Sequence, residues 1–168
     1  RKYGKKKIKE IETFPIPFNP KEFQDNLFIS TKKDIIDSRE NIINKALTLH
    51  SQGNIIQAQK YYKEIIDQGI KDHMIYSNYG VILNNLGNLK EAEILYRKAI
   101  EIKPNFADAH TNLGNILKKS GKLEEAEFSM RKSIELRSDF PMAHYNLGSL
   151  LIDLGKLKEA EISTRKAI

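Results

Sequence analysis

The sequence predicts an all-α fold, an α-solenoid of antiparallel helix pairs preceded by an irregular N-terminal segment. Three observations carry that prediction. Residues recur at a fixed period: Gly80, Gly114 and Gly148 stand 34 apart, as do Gly53, Gly87, Gly121 and Gly155, and Ala58, Ala92, Ala126 and Ala160. Within a period the apolar residues return at the spacing of two successive amphipathic helices. Between those helices each period holds a Gly, which supplies the left-handed backbone that ends a helix.

The first 38 residues do not fit the repeat. RKYGKKKIK (1–9) carries Arg1, Lys2, Lys5, Lys6, Lys7 and Lys9 and no acid. Subtracting these six from the 28 basic residues leaves 22 against 22 acidic ones, so the net charge of +6 belongs to this tail. A mobile tail is the simple expectation; an anchor for acidic lipid, nucleic acid or acidic protein is the functional one. TFPIPF (13–18) alternates Pro with bulky apolar residues, which favours an extended, polyproline-like strand. In NPKEF, Asn19 stands as a cap, Pro20 at the first helical position and Glu22 three residues after the cap, a short-helix start. Phe14, Ile16, Phe18, Phe23, Leu27 and Phe28 are expected to cover the open side of the first repeat as a lid. The alternative places the Pro-rich strand in a repeat groove, of its own chain or a neighbour's.

The array occupies 39–168, in units 39–72, 73–106, 107–140 and a truncated 141–168. The first unit is the least regular, with Lys45 where later units have Tyr79, Leu113 and Leu147, as befits a terminal repeat. In the third, Ala109, Leu113, Ile116 and Leu117 mark the buried face of one helix, and Leu123, Ala126, Met130 and Ile134 that of the next. Ser120-Gly121 separates the two, and Asn105 is the expected start signal after Pro104 ends the preceding helix. In the last, Ile152, Leu154, Leu157, Ile162 and Ile168 are expected to be partly uncovered, awaiting further repeats or a second chain. The chain starts at Arg1 rather than Met and stops within a helical pattern, so a piece of a longer protein is expected.

A Gly in mid-helix costs about 1 kcal/mol relative to Ala. Close helix approach is the expected reason, with Ala126 the small partner opposite Gly114. Unit 1 has Ala46 at that position, so small size, not flexibility, is the requirement.

On this period and these residues the chain resembles the tetratricopeptide-repeat family over roughly 39–168. The resemblance implies a right-handed superhelix with first helices on its concave side, and a protein-binding scaffold whose client is not specified. PNFADAHTNLGN (104–115) is similar to the repeats of protein O-linked N-acetylglucosamine transferases.

Other chemistry is not indicated. The sequence has no Cys, so neither a disulfide framework nor a thiolate site is expected, and a cytoplasmic setting is. No run of about 18 apolar residues predicts a membrane span. There is no Gly-rich phosphate loop, HExxH or GxSxG, and no enzyme, metal or cofactor is expected. His110 and His144, 34 apart, occupy a site where unit 2 has Tyr76 and unit 1 Ile42, and are expected to pack half-buried. Glu124 and Glu125 suit the start of a helix. Nucleic-acid binding is disfavoured, because the expected groove lacks a basic stripe with stacking aromatics.

The face of each first helix opposite its apolar stripe is the expected ligand surface. In unit 2 it carries Met74, Ser77, Asn78, Val81, Asn84 and Asn85; in unit 3, Asp108, Thr111, Asn112, Asn115, Lys118 and Lys119. In unit 4 it carries Met142, Tyr145, Asn146, Ser149, Ile152 and Asp153. One position never varies: Asn44, Asn78, Asn112 and Asn146. Asn offers both donor and acceptor, matching a peptide backbone, so a regular row suits an extended chain of little side-chain specificity. The resemblance implies such a ladder in the transferase superhelix; the alternative is that Asn bonds within the scaffold. The carboxylate clamp of chaperone-binding members is not expected, since its matching sites hold Ile43, Leu47, Asp108 and Asn112, and only Asn78 agrees.

The expected function is therefore a non-catalytic scaffold that binds an extended peptide or protein segment. One alternative is the recruiting arm of a longer enzyme (a glycosyl-, methyl- or sulfotransferase). Another is self-assembly through the last helix or the N-terminal segment.

Overall fold

The computed structural model describes residues 38–167. Expectations for the tail, the Pro-rich strand and the lid, and for Ile168, lie outside the described residues. Eight helices follow one another among the described residues: α1 (38–51), α2 (Ile55–Asp67), α3 (His73–Asn85), α4 (Leu89–Ile102), α5 (Ala107–Lys119), α6 (Leu123–Leu136), α7 (Pro141–Asp153) and α8 (Leu157–Arg165). No strand occurs among the described residues.

The turn inside each pair is one backbone device used four times. After α5, Gly121 adopts φ 75° and its N–H donates to Lys118 O at 3.0 Å, while Lys122 N–H donates to Leu117 O at 2.9 Å. These two bonds are the Schellman closure, which satisfies carbonyls the helix leaves open. Gly53, Gly87 and Gly155 repeat it, all with positive φ.

Helix starts are less uniform. The Asp72 carboxylate caps α3, accepting from the N–H groups of Met74 and Ile75 at 2.8 and 3.1 Å. The cap position of α5 is Phe106 rather than the expected Asn105, and no side chain bonds there. Phe106 packs against the core, so burial of its ring sets the start. Phe140 takes the cap position before Pro141, again with no side-chain cap bond.

The mid-helix glycines sit where paired helices come closest. A Cβ on Gly114 would stand 2.6 Å from Met130 Cγ and 3.2 Å from Ala126 O. On Gly80 it would meet the Tyr96 ring at 2.8 Å, and on Gly148 the Thr164 hydroxyl at 2.5 Å. Ala46 is fully buried against the same cluster as Tyr62. The packing reason for these small residues holds.

One core runs through units 2 to 4, with Tyr96, Ile116, Leu117, Met130, Leu150 and Leu151 among its most buried members. A second joins units 1 and 2 through Tyr62, Ile65, Ile75 and Ile82. Ile66 and Tyr79 pack against both, so the stack is continuous. At the far end Ile152, Leu157 and Ile162 are exposed, as expected, while Leu154 is half-buried.

Charge ties successive second helices together. Glu93 accepts from Arg97 on its own helix at 2.9 Å and from Lys122 of the next unit at 3.1 Å, and Arg97 reaches Glu125 at 2.8 Å. One repeat later Glu127, Arg131, Lys156 and Glu159 form the same four-charge cluster, at 2.6 to 2.8 Å. Burial pushes the Glu93 carboxyl up, but hydrogen bonds and charge from Arg97 and Lys122 together outweigh it and leave it below the usual range. The Lys156 hydrogen bond is the main cause of the same shift at Glu127, with Arg131 adding to it.

Candidate functional site

First helices touch directly, α3 to α5 and α5 to α7, whereas the second helices meet mainly their neighbours in sequence. Helices that approach one another in a curved stack lie on its inner side, so α3, α5 and α7 line the groove. There, Asn84, Asn115, Lys118, Lys119, Asn146, Ser149 and Asp153 surround one open cleft of about 420 Å³. Five of these are sequence-predicted site residues, and Ser149 and Asp153 were placed on the same face.

The two lysines bridge repeats in opposite directions. Lys119 Nζ donates back to Asn84 Oδ1 at 3.0 Å, while Lys118 Nζ donates forward to Ser149 Oγ at 2.7 Å and pairs with Asp153 at 2.9 Å. Asp153 thus balances Lys118, and the cleft keeps one net positive charge. Asn146 Nδ2 is buried at this cleft with no hydrogen-bond partner. A buried amide donor left unmet is uncommon, and a carbonyl oxygen is the acceptor it fits.

The remaining predicted residues divide. Asn112 is half-buried on α5, Asn44 and Asn85 are exposed, and Tyr145 is exposed on α7. Asn78 lies beside the Tyr62 hydroxyl: burial pushes that phenol up to about 12, and the nearby Asn78 side chain works against the rise. The Tyr62 hydroxyl bonds His50 Nδ1 at 3.0 Å, which sets Asn78 beside a buried scaffold contact. Ser77 and Thr111 depart from the expectation, being 4% and 2% exposed. Ser133 donates its only hydroxyl hydrogen to Ala107 O at 2.8 Å, so the Thr111 hydroxyl must donate to Ser133, at 2.7 Å. That inward hydrogen bond fastens α5 to α6 and takes Thr111 away from any ligand.

Sequence reasoning passed over the outer face. His110 and His144 are buried rather than half-buried, and Nε2 of each donates to a backbone carbonyl six residues back, Pro104 O and Ser138 O, both at 2.9 Å. Ile94, Phe128 and Ile162, 34 apart, stand exposed in a row on α4, α6 and α8. That spacing was the available signal. Among the described residues no group of three or more His, Asp or Glu is placed to hold a metal ion, and no helix is long and apolar enough to cross a membrane.

No curated protein sequence matches the chain. Among solved structures, a crystal structure of MamA is similar with a TM-score of 0.71 and 20% identity, over 90% of this chain and 94% of that one. The first TPR of Spaghetti (RPAP3), bound to an HSP90 peptide, is similar with a TM-score of 0.65 and 20% identity, over 70% of this chain and 93% of that one. A mutant of Thermobaculum terrenum O-GlcNAc transferase is similar with a TM-score of 0.64 and 25% identity, over 69% of this chain but 22% of the transferase. Models of the tetratricopeptide repeat match residues 40–68, 75–106, 95–128 and 143–168. The chain therefore belongs to the tetratricopeptide-repeat family.

Proposed function

We propose that the array is a non-catalytic interaction scaffold whose inner groove holds an extended peptide or protein segment. The observation that carries this reading is a cleft lined by polar side chains from three repeats, beneath which the Asn146 amide nitrogen is buried and unmet. Such a surface offers hydrogen bonds to a passing backbone, and no apolar residue lines it. Asn112 and Asn115 extend it along α5, and Asn44 and Asn85 mark its exposed margins. The similar Spaghetti repeat is bound to a peptide, which supports the class of ligand. A chain without cysteine suits a cytoplasmic setting.

A displayed library of random peptides, selected against the whole chain, tests the proposal. Enriched peptides should bind with an affinity that Asn112→Ala with Asn146→Ala lowers by about tenfold, with helicity unchanged. Failure to enrich any peptide, or enriched peptides indifferent to both substitutions, would refute it. The likeness to the O-GlcNAc transferase favours a second reading, in which the groove recruits substrate for a catalytic domain of a longer protein. A full coding sequence without such a domain would remove it.

A further inference from the structure

The outer face carries a different kind of site. Where α4, α5 and α6 meet, an open pocket of about 600 Å³ has Ile100, Leu113 and Phe128 as its apolar walls. One repeat on, α6, α7 and α8 form its counterpart, of about 410 Å³, with Ile134, Leu147 and Ile162. Both lie within the roughly 300–1,000 Å³ usual for ligand sites. Phe128 is 72% exposed and Ile162 58%, so each pocket has a large apolar side chain standing in water at its edge.

Each pocket is also lined by a histidine more than nine-tenths buried, His110 in the first and His144 in the second. A carbonyl oxygen only accepts, so Nε2, bonded to one, carries the hydrogen. In the neutral ring Nδ1 is then a bare acceptor. Nδ1 of both rings is buried with no hydrogen-bond partner. The arrangement is apolar walls around an acceptor that lacks its donor.

Charge distinguishes the rims. At the first pocket Glu101 and Glu124 are exposed and, among the described residues, join no ion pair, whereas Arg97 is already held by Glu93 and Glu125. At the second, Glu159 and Glu135 are neutralised by Arg131 and Lys132, and Lys166 adds a positive charge, so of the two only the first suits a basic residue. At the preceding junction Tyr76 replaces the histidine, and a smaller pocket of about 240 Å³ has Lys71 and Lys98 beside the same Glu101. A basic residue is therefore drawn to the first pocket, where Glu124 joins Glu101, more than to the pocket one repeat earlier.

We infer that the two histidine pockets form a docking surface for a basic peptide carrying two aromatic residues with a polar hydrogen, Trp or Tyr, one to each pocket. The ring enters between the apolar walls and displaces the side chains that cover Nδ1, so that its N–H or O–H meets that nitrogen, and Lys or Arg beside the first ring meets Glu101 and Glu124.

Anisotropy titration of the whole chain with labelled peptides of Lys and Ala carrying two Trp at varied separations tests this. At least one separation should bind, and Trp→Leu in the peptide should weaken it by about tenfold through loss of the N–H. Phe128→Ala and, independently, Glu101→Lys should weaken it as much, while Lys119→Ala with Asn146→Ala in the inner groove should leave it unchanged. The Nδ1 nitrogen resonances of His110 and His144 should move on binding. Absence of binding at every separation, or histidine resonances that stay put, would overturn the inference. So would binding abolished by the inner-groove variant alone, which would place the peptide there. A concentration-dependent dimer without peptide, lost on Phe128→Ala, would instead make the occupant a second copy of the chain.

Discussion

Replacing Gly114 by Ala sets two known effects against each other. In an open helix the change stabilises by about 1 kcal/mol, because Ala restricts the unfolded chain and favours helix. Here the new methyl would lie 2.6 Å from Met130 Cγ, whereas ordinary contact begins near 3.4 Å. The shortfall is roughly 0.8 Å, by subtraction of those two distances. Met130 is fully buried, and Ala126 O, at 3.2 Å, blocks retreat along the partner helix. α5 and α6 must part, and overpacking of this kind costs about 1–3 kcal/mol, occasionally more. The net is a loss of about 0–2 kcal/mol after the helix gain is subtracted. Urea unfolding followed by circular dichroism reads it as a lower midpoint at unchanged slope. The Met130→Ala background should soften the effect, because the clashing atom is gone, and give a favourable coupling of about 1 kcal/mol. A midpoint raised by Gly114→Ala alone would refute the close-approach argument.

Gly121→Ala should also destabilise, by about 1 kcal/mol, for a different reason: nothing lies within 4 Å, but φ 75° is strained for an L residue. Unfolding midpoints should therefore drop for Gly121→Ala in every background, including Met130→Ala. Thr111→Val should cost about 1 kcal/mol in denaturant unfolding and leave peptide affinity unchanged, since its hydroxyl serves Ser133. Glu93→Gln with Glu127→Gln should cost about 0.5–1 kcal/mol per cluster at neutral pH, the partners being half exposed. Both carboxyls are lowered in the folded state, so their contribution is present above the unfolded value of about 4.3 and lost as pH falls through the lower folded values. The gap between parent and variant in unfolding free energy should therefore close below about pH 4, and a gap that persists in strong acid would contradict this.

The fold was legible because its determinants are periodic and local. A Gly that must adopt positive φ and a Gly that must admit a neighbouring helix both announce themselves at a spacing of 34. The cleft was half legible. Helical phase places Asn115, Lys118 and Asn146 on one face, but phase alone does not separate Ser77 and Thr111, which lie at the edge of that face and turn into the helix pair. Nor does identity of residue separate Asn78, engaged with Tyr62, from Asn146, whose amide is unmet. The helix start at Phe106 was missed because a half-buried ring packed against the core outweighed a good capping residue beside it. The outer pockets were readable from the row 94, 128 and 162 and were passed over, since exposed apolar residues on second helices resemble ordinary surface. The histidine bonds to turn carbonyls depend on three-dimensional reach and leave no trace in the sequence.

The central claim is that the groove grips backbone rather than side chains, and a substitution scan of a selected peptide tests it most directly. Each peptide bond is replaced in turn by an ester or an N-methyl amide, and each side chain in turn by Ala, with affinity measured for the whole protein. The account predicts that at least one backbone change opposite Asn112 or Asn146 lowers affinity by about tenfold, while side-chain truncations each do less. Affinity governed by one or two side chains and indifferent to every backbone change would contradict it.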